Sequence, residues 1–244
     1  MAAVGILAAV RPMRVLLFDV FGTLVDWRSS LIDIAEANVA DGALDADWAA
    51  IVDEWRAAYQ PALDQARQEP AWRDLDSLQR ETLDEVLARY DVSMPATDRE
   101  LLVGGWRQLR PWPDSAEGLE RLRRKHVTAT LSNGHVALLA DLLKFAGLRP
   151  DVVLSAQLAA SYKPDPQVYL TALHLLDCPP QEAGMVAAHG GDLRAAAALG
   201  LRPVFIRRPL EWGPDAEPEE PPALDGLIDA DDLGHLADIL DARD

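Results

Sequence analysis

RVLLFDVFGTLVDW (residues 14–27) runs a continuous apolar stretch into a single acid, Asp19, and then a Phe-Gly-Thr turn. An apolar run with neither helical period nor alternation reads as a strand buried on both faces. Four other runs share this character: VTATLSN (127–133), DVVLSA (151–156), AGMVAA (183–188) and RPVFIR (202–207). Helical patterns lie between them. Asp114 stands where it can cap a helix through SAEGLERLRRK, with Glu117 in its first turn, while VALLADLLKFAG and LRAAAALG end on Gly147 and Gly200. Strand–helix alternation predicts an α/β fold with a parallel sheet and right-handed crossovers.

Ligands bind beyond the carboxyl ends of the strands in such sheets. Asp19, Ser132-Asn133 and Ala188-His189 each sit at one of these ends, and SYKPD (161–165) follows soon after another. Polar groups from separated segments therefore converge on one rim. Residues 30–110 differ: apolar positions such as Leu75, Leu78, Leu83, Val86, Leu87 and Tyr90 recur at helical spacing, and no strand pattern is evident. Six of the seven tryptophans (27, 48, 55, 72, 106, 112) fall in or beside this segment, which assigns them to packing first and to a pocket second. The predicted organisation is an N-terminal extension (1–12), an α/β core (13–27 and 111–244) and a helical cap (28–110), with RPWPD (110–114) marking the return. The acidic, Pro-rich stretch 213–226 reads as a surface loop before a final short helix.

The bulk composition narrows the function. A net charge of −17 argues against a nucleic-acid or anionic-membrane partner. No apolar run reaches the roughly 18–20 residues of a membrane span. MAAVGILAAV lacks the charged start of a signal peptide, so Met13 is a candidate alternative start. The lone cysteine, Cys178, rules out an intramolecular disulfide, fits a cytoplasmic location and reads as a small buried hydrophobe.

Four segments, in order across residues 14–207, resemble the motifs of the haloacid dehalogenase superfamily: FDVFGTLVD, LSNG (131–134), SYKPDPQVY (161–169) and MVAAHGGDLRAA (185–196). The resemblance implies a Rossmann-like parallel core with an inserted all-helical cap. Most members of that superfamily are phosphatases, with a second Asp two residues after the nucleophile and further acids in the fourth motif that help hold Mg²⁺. Here Phe21 and Ala188 occupy those positions. A phenyl ring passes no proton, and a hard cation needs oxygen ligands. The branch similar in both respects is the L-2-haloacid dehalogenases, which carry an aromatic residue there and need no metal. A halide leaves as a stable anion without a proton, and Phe21 supplies a water-poor wall.

The resemblance implies that Asp19 is the nucleophile, forming an ester with a 2-haloalkanoate that water then hydrolyses to the 2-hydroxy acid. Burial alone raises a carboxyl pKa, so Asp19 needs a nearby cation to stay charged, and Lys163 resembles the lysine in that role. Thr23 orients Asp19, Asp192 positions Lys163 and the water, Ser132 and Asn133 bind the substrate carboxylate and halide, and Arg56 closes over the halide. Tyr169 is a pocket-wall or hydrogen-bonding group. His189 stands where the better-known dehalogenases carry asparagine, and a ring with a pKa near 6.5 suits water activation. His126, His135, His174 and His235 have no motif support and read as structural or surface residues. No cofactor or metal is implied, and a homodimer through the cap is expected. The rival readings are a Mg²⁺-dependent small-molecule phosphatase and a catalytically silent ligand-binding member. Halogen, chain length and enantiomer are not legible in the sequence.

Overall fold

The structure, a computed structural model, describes residues 12–38 and 46–242. The expected extension therefore lies, except for residue 12, outside the described residues. Strand β1 (Val15–Phe18) sits mid-sheet between β4 (Val127–Ser132) and β6 (Ala183–Ala187). The sheet continues to β5 (Val152–Ser155) on one side and to β7 (Arg202–Ile206) and β8 (Ile228–Ala230) on the other, and every pairing is parallel. Helices α5 (Ser115–Leu122), α6 (Val136–Ala146), α7 (Pro166–Leu175) and α8 (Gly190–Ala198) lie in the connections between strands, and α9 (Leu233–Asp241) follows β8. β1 is fully buried, as an apolar run covered on both faces must be. The predicted parallel α/β sheet is thus the observed one. β8 is an additional strand: only three residues long with alternating burial, it is too short to signal itself beside the acidic loop.

Residues between the two halves of the sheet form a helical layer. β2 (Val25–Asp26) and β3 (Arg110–Pro111) pair antiparallel, bringing the outgoing and returning chains together. Between them lie α1 (Trp27–Asn38), α2 (Trp48–Ala66), α3 (Leu75–Arg89) and α4 (Ala96–Gly105). Asp47 and Asp74 cap α2 and α3 by accepting from the N–H groups of Ala50 and Ser77. The neck is tied by Trp112 Nε1 donating to the Gly22 carbonyl (2.9 Å) and Ser115 Oγ donating to that of Leu24 (2.8 Å). Trp27, Trp48, Trp55 and Trp106 are buried in one continuous core with the sheet's apolar residues.

One expected cap is corrected. Asp114 stands at the N-cap position of α5, but its side chain makes no capping bond there. Its two oxygens instead receive Arg208 bidentately (2.8 Å each), and Oδ2 accepts from the Leu233 N–H at the start of α9. A charge-assisted bidentate pair outweighs a single neutral cap. Arg208 also donates from Nε to the Thr23 carbonyl, so this pair fastens the chain after β7 onto the turn after β1. Gly147 does end α6 as predicted, at φ +69°. Gly200 follows the end of α8 at φ +90°, with Leu199 as the capping residue.

Asp114→Ala is expected to cost roughly 3–5 kcal/mol by leaving the buried Arg208 guanidinium unpaired. A lower urea midpoint with an unchanged m-value is the measurement that checks it.

Candidate active site

Four neighbouring strands each deliver a polar residue past their carboxyl ends. In sheet order these are Asn133 after β4, Asp19 after β1, His189 after β6 and Glu211 in the chain after β7. Asn133, Asp19 and His189 border a cleft of about 450 Å³ between sheet and helical layer, whose walls include Phe21, Arg56, Tyr59, Lys163, Asp192 and Trp212. Metabolite-sized ligands fit such a volume.

Asp19 and Lys163 are both buried, and their charges meet directly. Lys163 Nζ donates to Asp19 Oδ1 (2.8 Å) and to Asp192 Oδ2 (2.5 Å). Tyr169 donates its hydroxyl to the other Asp192 oxygen (2.5 Å). Burial disfavours the Asp19 anion, but the Lys163 charge and hydrogen bonds from His189 and Lys163 outweigh it and hold the carboxyl below the ordinary range. Burial likewise opposes the Lys163 ammonium, and the charges of Asp19 and Asp192 overcome it and push its pKa up. Asp192 goes the other way: burial and the Asp19 charge push it up against the opposing pull of Lys163. Burial and the Asp192 charge push the Tyr169 phenol up as well, leaving it a proton donor.

Asp19 Oδ2 has two further partners. Thr23 Oγ1 accepts from the Ala188 N–H (2.9 Å) and donates to Oδ2 (2.9 Å), so its single proton is aimed at the carboxylate. His189 Nδ1 lies 3.1 Å from the same oxygen, and its Nε2 lies 2.9 Å from Glu211 Oε1. Sequence reasoning missed Glu211, which is buried and also accepts from Trp27 Nε1 (3.0 Å). A lone Glu in a Pro- and Trp-containing segment looks solvated. The available signal was its place soon after the end of RPVFIR (202–207), the same side of the sheet that marks Asp19. Ionised carboxylates only accept, so both His189 nitrogens carry hydrogens here. Burial opposes that charge, but Glu211 and Asp19 raise the His189 pKa well above its usual value. In this state the ring has no lone pair with which to take a proton, so the expected water-activating role requires the ring to lose one first.

Glu211 also explains Gly22. Gly22 has φ +83°, and a Cβ there would lie 2.1 Å from Glu211 Oε1. Both the backbone conformation and the neighbouring carboxylate require glycine.

On the helical side, Arg56 is ringed by Tyr59, Trp27 and Trp212, at 4.5, 5.5 and 5.7 Å from their ring centroids. Its Nε is buried without a hydrogen-bond partner. Phe21 packs edge-on against Trp106 (5.4 Å), which meets Trp55 in the same way (5.6 Å). Most of the tryptophan enrichment is thus packing, while Trp212, the one outside the segment, lines the cleft. Asn133 Oδ1 accepts the Lys163 backbone N–H (2.7 Å). Ser132 is fully buried, its hydroxyl accepts from the Gly134 N–H (3.3 Å), and it is not among the residues that line the cleft. The compact SNG turn holds it below the rim.

Among the described residues, the trio with metal-ligand spacing is Asp74, Asp76 and His135, away from Asp19. Arg107 already sits bidentate on Asp76 (3.0 and 2.7 Å). His126 and Cys178 are buried. No helix among the described residues is long and apolar enough to cross a membrane.

The family model for haloacid dehalogenase-like hydrolases matches residues 13–200. The chain belongs to that family. It is 44% identical to the L-2-haloacid dehalogenase PA0810 in a crystal structure with TM-score 0.86, covering 93% of this chain and 99% of the other. It is 38% identical to the defluorinating L-2-haloacid dehalogenase Rha0230, with TM-score 0.89 and coverage of 95% and 96%. The (S)-2-haloacid dehalogenase 4A of Burkholderia cepacia is 30% identical over 82% of this chain and 85% of that one. Within the haloacid dehalogenase-like hydrolases, this chain falls in the L-2-haloacid dehalogenase branch.

Gly22→Ala is expected to destabilise the fold by more than the roughly 1–2 kcal/mol of the left-handed backbone alone. It should also lower the His189 pKa by displacing Glu211. Denaturant titration and imidazole NMR read the two effects, and Gly147→Ala, whose added Cβ meets nothing within 4 Å, isolates the backbone cost.

Proposed function

We propose that the chain hydrolyses small 2-haloalkanoic acids to 2-hydroxy acids through an ester on Asp19, without a metal ion. The observation that carries this reading is the ionised Asp19 carboxylate, locked to Lys163 at the cleft floor beside the Phe21 ring. Oδ2 already accepts two hydrogen bonds and Oδ1 only one, so Oδ1 keeps the freer lone pair for attack. Oδ1 bonds to the α-carbon while the carbon–halogen bond breaks, inverting the centre, and the halide leaves with the electron pair. Arg56 and the Asn133 amide receive the anionic groups, and Phe21 and Trp212 exclude water.

Esterification removes the Asp19 charge and leaves Asp192 as the carboxylate facing Lys163. Held by Lys163 and Tyr169 beside the ester, it is the group placed to take a proton from the water that attacks Asp19 Cγ. Collapse then expels the 2-hydroxy acid, which regains that proton and carries the former Asp19 Oδ1, while the second water proton leaves Asp19 for solvent and restores its carboxylate. Tyr169 and Lys163 hold Asp192 in place, and Thr23 holds Asp19. The donor set favours metal independence. An ammonium bridges the two carboxylates that a divalent ion would share, and Phe21 and Ala188 stand where phosphatases have acids. The named relatives support the substrate class. In the same reading, residues 13–27 and 111–244 are the core, 28–110 the cap, and the protein works as a cytoplasmic homodimer.

Halide release from (S)-2-chloropropanoate should persist in excess EDTA and disappear in Asp19→Asn. Bromo- and fluoroacetate complete the panel. Phosphate release from aryl phosphates with Mg²⁺, and none of halide, would overturn the reading. A single turnover in ¹⁸O-water should put the label into Asp19. Label found in the hydroxy acid would mean that water attacks carbon directly.

A further inference from the structure

Resting on the ester reading, the hydrogen-bond chain Asp19–His189–Glu211 has a direction. Glu211 Oε1 accepts from both Trp27 Nε1 and His189 Nε2, which fixes the proton on Nε2. Nδ1 faces an acceptor-only oxygen at 3.1 Å and so also carries its proton. Once Oδ1 is alkylated, Oδ2 becomes the ester carbonyl, still faced by the Thr23 hydroxyl and by the Nδ1–H. These are two aligned donors at the atom where negative charge develops when water attacks.

We infer that His189 stabilises the oxyanion formed on Asp19 Oδ2 during ester hydrolysis, and that Glu211 is the positioning residue that keeps the ring doubly protonated. When water oxygen bonds to Cγ, its proton goes to Asp192 and the carbonyl electron pair moves onto Oδ2. His189 keeps its protons throughout. Its charge survives esterification because Glu211 remains beside it after the Asp19 charge has gone. Arg208 anchors the carrier segment to the Thr23 carbonyl and Asp114, and Gly22 leaves room for the carboxylate.

The other charged groups around the ring act on its proton as well. Asp19 and Lys163 face it from the cleft floor, and Arg56 acts on Glu211 from the helical layer. Asp192 and Arg194 lie on its own helix, α8, and Glu219 accepts from the adjacent Gly190 N–H. Of these, Glu211 is the anion in direct contact with His189 that chemistry at Asp19 leaves unchanged.

The test is pre-steady-state chloride release and intact mass spectrometry with (S)-2-chloropropanoate, comparing wild type with Glu211→Gln. The amide oxygen introduced by that substitution can still accept from Trp27 and His189 Nε2, but once Asp19 is esterified no anion holds the ring charged, so it becomes neutral and presents a bare Nδ1 to Oδ2. The expected result is a burst of about one chloride per site at near wild-type rate, which also reports a folded site. Turnover then slows by about 100- to 1,000-fold with the Asp19 adduct accumulating. The hydrolysis rate should fall with rising pH as His189 loses its proton, and the Glu211→Gln variant should fall at lower pH. Should Glu211→Gln fail to fold, His189→Leu, which carries no donor, is expected to give the same burst and accumulated adduct. A slowed burst without adduct, or hydrolysis that rises with pH through the His189 titration, overturns the inference; the latter result would make His189 a base. Wild type that releases no halide and forms no adduct defeats the ester reading itself and takes this inference with it.

Discussion

A single ammonium group, Lys163 Nζ, lies buried between Asp19 and Asp192, and the rest of the site is arranged around that contact. Two carboxylates near one cation cannot be served equally. Asp19 also takes hydrogen bonds from Thr23 and His189 and is held charged at neutral pH, whereas Asp192 has the phenol of Tyr169 and is pushed toward protonation. On the proposed reading, the same pair of acids thereby takes two chemical characters: a nucleophile that stays ionised and a neighbour that accepts a proton. A buried ion cluster of this kind gives little stability by itself. Its value lies in the chemistry it holds ready.

The strands were legible because burial on both faces leaves an uninterrupted apolar run, and a parallel sheet places the ends of those runs on one rim. That logic reached Asp19, Asn133 and His189 from sequence, since each stands immediately after such a run. It did not reach Glu211, farther past its strand, because only the fold of the Arg208 segment turns that side chain inward. Asp114 misled for the same reason. Its local pattern is a helix cap, and its partner Arg208 is distant in the chain. Ser132 belongs to a motif that resembles a ligand-binding pair, and the tight turn at Gly134 engages an oxygen lone pair of its hydroxyl. Local pattern predicts backbone; tertiary partners decide where polar side chains point.

The net charge of −17 and an anionic ligand are compatible on these distances. Surface carboxylates beyond about 8 Å are largely screened at physiological salt. Inside the cleft the charges that count are Lys163, His189 and Arg56, set against Asp19, Asp192 and Glu211, and the buried Nε of Arg56 has no carboxylate bonded to it.

Arg56 has a further consequence. A free arginine side chain samples many rotamers, and fixing it on a ligand forfeits about 2 kcal/mol of that freedom. Here three aromatic rings have stilled the guanidinium beforehand. On the proposed reading, an arriving anion meets a cation already packed among rings, so little ordering remains to be done at the moment of capture.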